Sequence, residues 1–334
     1  MSKTAKPMGV LLLALGAALV AFAVTWGLLA PKSASLLPLD YEAKTVAQGT
    51  GTLLDPASLD SERLRIDEDV PLTRVQQVLS VEPGDSDVMT AQIGTTLSRD
   101  DREGAEALAG ATVQRVSVDR NSALATDDAA NSSLQATAGE PSTPIRADGL
   151  TFAWPRNAER RDYPFFDVEA RRSAPMEFTG DGDVDGTTAY IYTQELSDID
   201  KSEEDPSAVV SVDPGALPES APEQLRDSDE PVRLHTFYSA TRTVFVEPDS
   251  GRVLKAEESV HEYLGENPGE EAVTAKDYSL ETSPESSRQA VAAAQEVADN
   301  TRLAETIIPW VAGIAGGAAL LIGVGVQFLR KRRI

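Results

Sequence analysis

The run Gly180-Asp181-Gly182-Asp183-Val184-Asp185-Gly186 puts carboxylates at the first, third and fifth positions and glycine at the sixth, as a calcium loop opens. The twelfth position is Tyr192, where such a loop needs a bidentate Glu, and a strand pattern follows the last glycine. A polar turn between strands is the competing reading. His235 and His261 are the two histidines, each on a strand-like stretch, and there is no cysteine. Thiolate catalysis, disulfides and Cys-type zinc sites are thereby excluded. Neither a Gly-x-Ser-x-Gly elbow nor a phosphate-binding glycine loop occurs. Acidic pairs such as Glu203-Glu204 and Glu257-Glu258 are common in so acidic a chain, and none stands out as a hydrolytic couple. The reading is a non-enzyme with no cofactor and no metal.

One basic grouping remains. Arg160, Arg161, Arg171 and Arg172 bracket the aromatic turn Tyr163-Pro164-Phe165-Phe166-Asp167. Guanidinium groups over an apolar surface could hold an anionic or sugar headgroup; solvated arginines flanking a structural turn are the alternative. The ligand-binding candidates are Trp154, Arg161, Tyr163, Phe165, Phe166, Arg171 and Arg172. Phe152, Phe237, Tyr238 and Phe245 join the aromatic ones as lining or core residues.

These residues must be held by a chain of 334 residues with 30 Lys+Arg against 54 Asp+Glu, a formal charge of −24. So acidic a surface excludes a nucleic-acid binder. Residues 8–30 form an apolar run without a charge, long enough to cross a bilayer core of about 30 Å. An uncleaved anchor is expected; a signal cleaved near Ser33-Ala34-Ser35 is the alternative. Residues 307–329 form a second run. Lys3 and Lys6 precede the first, and Arg330, Lys331, Arg332 and Arg333 follow the second. Basic flanks stay inside, so both termini are expected in the cytoplasm, with Trp26 and Trp310 at the outer interfaces. All 54 acidic residues fall between the runs and six of the basic ones flank them, which leaves −30 on residues 31–306. Gly313 and Gly317 in the second run suit close contact with another helix.

The exported segment reads as strands. Thr45–Ala47 and 49–54 look like short strands with glycine turns, and 111–118, 150–154, 187–194, 234–240 and 241–246 alternate or are β-rich. Pro248-Asp249-Ser250-Gly251 turns into a last strand over 252–260. Ser197–Pro231, acidic with five prolines, reads as a long loop, and 127–144 as a second soft region. Ser283, Pro284 and Glu285 begin a helix as N-cap, first helical residue and favourable charge, with Pro309 a possible kink. The expected organisation is a cytoplasmic N-terminus (1–7), a span (8–30), a β-rich exported domain (31–283, with the 197–231 loop), a stalk or sheet-packed helix (284–306), a span (307–329) and a basic tail (330–334). The fold class is mainly β (α+β): an antiparallel, curved sheet or sandwich between two transmembrane helices.

Leu37-Pro38-Leu39-Asp40, Tyr163-Pro164-Phe165-Phe166-Asp167 and the hairpin from Arg242 to Gly251 together resemble an actinobacterial envelope family, the porin PorA-like family. The order of anchor, exported β domain, closing span and basic tail is similar too. The resemblance implies a protein of mycolic-acid-bearing bacteria, associated with glycolipid handling beside a lipid exporter, polar growth and lipoglycan maturation. The expected function is a non-enzymatic envelope assembly factor that binds or passes a long-chain, mycolate-type glycolipid beside a membrane transporter. A membrane-anchored scaffold for envelope or lipoglycan-maturing enzymes is the alternative, and carboxylate catalysis on lipoglycans a third. The expected partners are that glycolipid, the transporter and other envelope membrane proteins.

Overall fold

The computed structural model describes residues 5–29, 36–59, 61–128, 131–136 and 139–331. Lys3, Arg332, Arg333 and Ser33-Ala34-Ser35 lie outside the described residues, as do the side chains of Lys6, Arg330 and Lys331. The chain divides into two units, 37–294 and the two terminal segments 1–36 with 295–334.

The larger unit is built on one antiparallel sheet. Its strands are β1 (Glu42–Leu54), β2 (Ile66–Val81), β3 (Val88–Arg99), β4 (Leu108–Asp119), β5 (Ser132–Gln135), β6 (Thr143–Ile145), β7 (Tyr163–Asp167), β8 (Arg172–Val184), β9 (Thr187–Asp200), β10 (Val209–Val212), β11 (Val232–Glu247), β12 (Arg252–Gly265) and β13 (Glu271–Thr282). The order across the sheet is β6-β5-β4-β3-β2-β1-β13-β12-β11-β9-β8-β7, with β10 beside β11. It is a single open sheet, not the two layers of a sandwich.

Seven strand spacings separate β4 from β9, about 34 Å if the sheet were flat. Yet Val116 and Val118 of β4 share one buried cluster with Tyr192 of β9, and the half-buried Tyr190 packs against it. The sheet therefore curls, with residues 147–158 filling its interior through Leu150, Ala153 and Trp154. At that end single-residue links run from β4 to edge strand β7. Val118 bridges to Ala125, the Ala125 amide donates to the Gly149 carbonyl, and Leu150 bridges in parallel to Phe165 of β7.

Several expected elements differ. Thr45–Ala47 and 49–54 are one strand, because Gly49 and Gly51 sit where a Cβ would strike the β13 backbone at Ser279 and Asp277. Residues 150–154 are not a strand: Gly149 (φ +81°) turns the chain, and the buried Trp154 plugs the core with its amide on the Gly251 carbonyl. Tyr163–Asp167 is not a turn but edge strand β7. Residues 197–231 are not one long loop. β9 runs on to Asp200, and β10, short 3₁₀ turns and α2 (Glu223–Arg226) follow. Val212, Ala216, Leu217, Ala221 and Leu225 bury themselves against Leu234, Leu264 and Val273, and this apolar set outweighs the prolines between its members.

Helix α3 (Pro284–Arg302) starts as its residues dictate: Ser283 Oγ accepts the Ser286 amide at 3.3 Å, and Glu285 pairs with Arg288. Its first turns pack on the sheet, with Val291 and Ala294 against Val184, Ala189 and Leu254.

In the smaller unit, α1 (Ala5–Leu29) packs along α4 (Ile308–Lys331), which follows a π-helical turn at Leu303–Ile307 just before Pro309. The residues Ile308–Phe328 of α4 are long and apolar enough to cross a membrane; the described apolar stretch of α1, Val10–Trp26, is shorter. The helices approach at Gly16 and Gly316, where an added Cβ would stand 2.8 Å and 2.9 Å from the facing carbonyl, and at Gly323 against Leu13.

Candidate functional site

Strand periodicity puts alternate residues on the inner face of the sheet. On β2 that series is Val70, Leu72, Arg74, Gln76, Val78. On β11 it is Tyr238, Ala240, Arg242, Val244, Val246, and on β12 Ala256, Glu258, Val260, Glu262. Each series is apolar with charge set into it. Burying charge is unfavourable unless it is paired, so these positions mark something other than core packing. They line a cavity of about 580 Å³ on the inner face. Its apolar wall includes Tyr41, Val78, Ile93, Phe152, Trp154 and Phe165; its polar wall includes Arg74, Asp167, Arg242, Glu258, Glu262 and Lys276.

The polar wall is assembled by register. Arg242 and Glu258 are cross-strand partners on β11 and β12. Arg242 Nε donates to Glu258 Oε1 at 3.0 Å, and Nη2 donates to Asp167 Oδ2 at 3.1 Å. Asp167 also accepts from the Tyr238 hydroxyl at 3.1 Å and from the Ala170 amide at 2.8 Å. The other Glu258 oxygen takes Arg74, and Gln194 Oε1 accepts from Arg242 at 3.1 Å. Asp167 and Glu258 are 2% and 4% exposed, so two carboxylates and two guanidinium groups neutralise each other out of water. Burial would lower the Arg242 pKa, but Asp167 holds it above the usual value; burial pushes Arg74 down. Burial pushes Tyr278, beside them, up to about 12.

A second network adjoins it. Lys201 Nζ reaches Glu169 and Glu262 at 2.9 Å each, and Lys276 reaches Glu262 at 3.2 Å. Burial would lower Lys201, yet Glu169 and Glu262 hold it above the lysine range. Burial would raise Glu262, yet Lys276 and Lys201 bring it down to about 2.

The residues singled out by sequence divide. Trp154, Phe165 and Phe166 line the cavity; Trp154 stacks on Phe165 with centroids 5.6 Å apart. Tyr163 is buried beside Tyr192, and its hydroxyl accepts the Glu159 amide. The arginines are not on the lining: Arg161 lies over Tyr163 and pairs with Glu159, Arg171 pairs with Asp205, and Arg172 with Glu203. Gly313 faces Ala23, and Gly317 meets nothing within 4 Å; the tight contact runs through Gly16 and Gly316. Asp181 pairs with Arg160, and Asp183 accepts the Gly186 amide in a hairpin turn with positive φ at Asp185 and Gly186. Among the described residues no cluster has the composition of a metal site. Sequence reasoning passed over Arg74, Arg242 and Glu258, whose signal is a charge in the middle of an alternating apolar series.

The fold defines a mainly β protein with one large antiparallel sheet and an apolar helix long enough to cross a membrane. The chain belongs to the family described as Porin PorA, which matches residues 8–325. It is similar to Porin PorA of Corynebacterium amycolatum, at 27% identity over 96% of this chain and 98% of that protein. It is also similar to Porin PorA of Corynebacterium resistens, at 25% identity over 98% of each. Membership places it among membrane proteins of the cell envelope.

Proposed function

We propose that the chain is a non-enzymatic envelope factor whose sheet domain takes up a long-chain glycolipid, of mycolate type, beside a membrane transporter. The observation that carries this reading is the inner cavity, apolar on one wall and hydrogen-bonding on the other, in the size range of small-molecule sites. An acyl chain along Tyr41, Val78, Ile93 and Phe152 gains about 0.8 kcal/mol per buried methylene. The polar wall offers paired donors and acceptors to hydroxyl and ester groups along the bound lipid. In this reading α1 and α4 both span the membrane, the termini are cytoplasmic and the sheet domain is exported.

The relatives carry the name porin, and a channel is the second reading. A bilayer-spanning barrel needs an outward apolar band. The outward positions of this sheet include Gln77, Gln92, Thr96, Arg115, Glu257, Asp277 and Glu281, which favours the first reading.

Lipid extraction and mass spectrometry of the full chain, purified in mild detergent, tests the reading. The wild type should carry a glycolipid, and Thr95→Trp, which fills the cavity from β3, should lose it while keeping its far-ultraviolet spectrum. A chain that copurifies with no lipid and takes up none offered would refute the reading.

A further inference from the structure

Five basic residues line the cavity, and they are not equivalent. Arg74 and Arg242 are held by Glu258 and Asp167, and Lys276 by Glu262. Lys44 and Arg252 meet no carboxylate among the described residues, in a chain with 54 acidic residues against 30 basic ones. Glu42 lines the same rim and is paired with neither.

The fold explains what that rim is. β13 stops at Thr282, opposite Ala47, and the Thr282 hydroxyl accepts the Ala256 amide. β1 continues past that level to Glu42, and β12 to Arg252. Two strands that flank a third lie about 10 Å apart, so the end of β13 leaves a notch one strand wide between Lys44 and Arg252. Its closed end is the first turn of α3, where the Ser283 amide donates to the Val46 carbonyl and Ser286 Oγ accepts the Val46 amide. Tyr41 spans the notch from the β1 side, with the Arg252 guanidinium 5.0 Å from its ring centre. Gln289 and Ala290 of α3 line the same cavity as the inner-face residues. The cavity lining thus extends from the inner face to α3 at the level of this gap.

We propose that the notch between β1 and β12 is the port through which a lipid is loaded, and that Lys44 and Arg252 hold its anionic head, a phosphate or a carboxylate, while the chain lies in the cavity. The inference rests on the lipid-binding reading and adds the class of head and the place of loading. The interior guanidinium groups are already neutralised, so an anion gains little there. Lys44, on the outer side of the rim opposite Gln77, is exposed, and Arg252 is half-buried against the Tyr41 ring; neither is ion-paired among the described residues, and an anionic head gives them charge-assisted hydrogen bonds.

The test uses the full chain in a non-ionic detergent, with dioleoyl phosphatidic acid, dioleoylglycerol and inorganic phosphate as probes and native mass spectrometry as readout. The wild type should prefer phosphatidic acid to dioleoylglycerol by about tenfold, as two charge-assisted contacts imply. Lys44→Gln with Arg252→Gln should erase that preference while dioleoylglycerol retention is unchanged, which also shows the cavity intact. Arg160→Gln, away from the cavity, should keep it. Equal retention of the two lipids by the wild type, or a preference that survives in the double variant, overturns the port and leaves the cavity reading standing. Inorganic phosphate that binds as tightly as phosphatidic acid at the same concentration overturns the lipid head in favour of a free anion. Retention of neither lipid overturns the port and the cavity reading together.

Discussion

Asp167 and Arg242, 75 residues apart in the chain, meet at 3.1 Å inside the curled sheet. One ends an edge strand and the other lies in mid-strand at an inward position, so their contact exists only once the sheet has curled. Replacing Arg242 with Met should cost about 3–5 kcal/mol, because Asp167 and Glu258 would be left buried with Arg74 alone. Denaturant unfolding reads the loss. Adding Asp167→Leu should return part of it, and strictly additive losses in the double-mutant cycle would show that the two residues are uncoupled.

Glu262 gives the fold an acid-sensitive joint. Its pKa falls from 4.5 unfolded to about 2 folded, so its contribution is complete above pH 4.5 and is lost as pH drops toward 2. The melting temperature should fall through that window. Glu262→Gln should be less stable at neutral pH and show a flatter acid limb; an identical pH profile for variant and wild type would refute the assignment.

The two apolar helices can be tested by cross-linking. A Cβ built on Gly313 stands 3.6 Å from Ala23 Cβ, within the range that a disulfide spans. The chain has no cysteine of its own. Ala23→Cys with Gly313→Cys should therefore oxidise to an intramolecular cross-link, visible as a gel shift. Gly316→Leu should prevent it and Gly317→Leu should not. Cross-linking that survives Gly316→Leu would mean the helices do not meet through that glycine.

The proposed topology rests on the basic flanks at Lys3, Lys6, Arg330, Lys331, Arg332 and Arg333. Reporters active only in the cytoplasm should work at both termini and fail when inserted after residue 268, in the turn between β12 and β13. A silent reporter at the C-terminus would reverse the orientation.

Much of the fold was legible because it is local. The β11–β12 hairpin follows from Pro248-Asp249-Ser250-Gly251, and the start of α3 from Ser283-Pro284-Glu285. β2 and β3 were not legible: their 16 and 12 residues mix Thr, Gln and Ser with Val and Leu, because one face looks inward at a partly polar cavity. The site was hidden for a related reason. Asp167 sits in a motif that reads as a turn, and Glu258 in an acidic pair among many. Only the register, with Arg242 opposite Glu258, shows that they share a wall. The arginines beside Tyr163 drew attention by their number, and each found a carboxylate partner on the surface.

The links through Ala125 and Leu150 make this side of the sheet a seam instead of a ladder. Elsewhere neighbouring strands are held by ladders of three or more residue pairs, but across this seam the chain uses the Ala125, Leu150 and Phe166 amides, with Asn131 Nδ2 on the Ala147 carbonyl and Ser173 Oγ on the Asp148 carbonyl beside them. At about 0.5–1.5 kcal/mol net per hydrogen bond, these bonds hold the seam less than the buried packing of Val116, Val118, Leu150, Trp154 and Phe165 across it. Amide exchange at the Ala125, Leu150 and Phe166 positions would be the gauge of how often that seam opens.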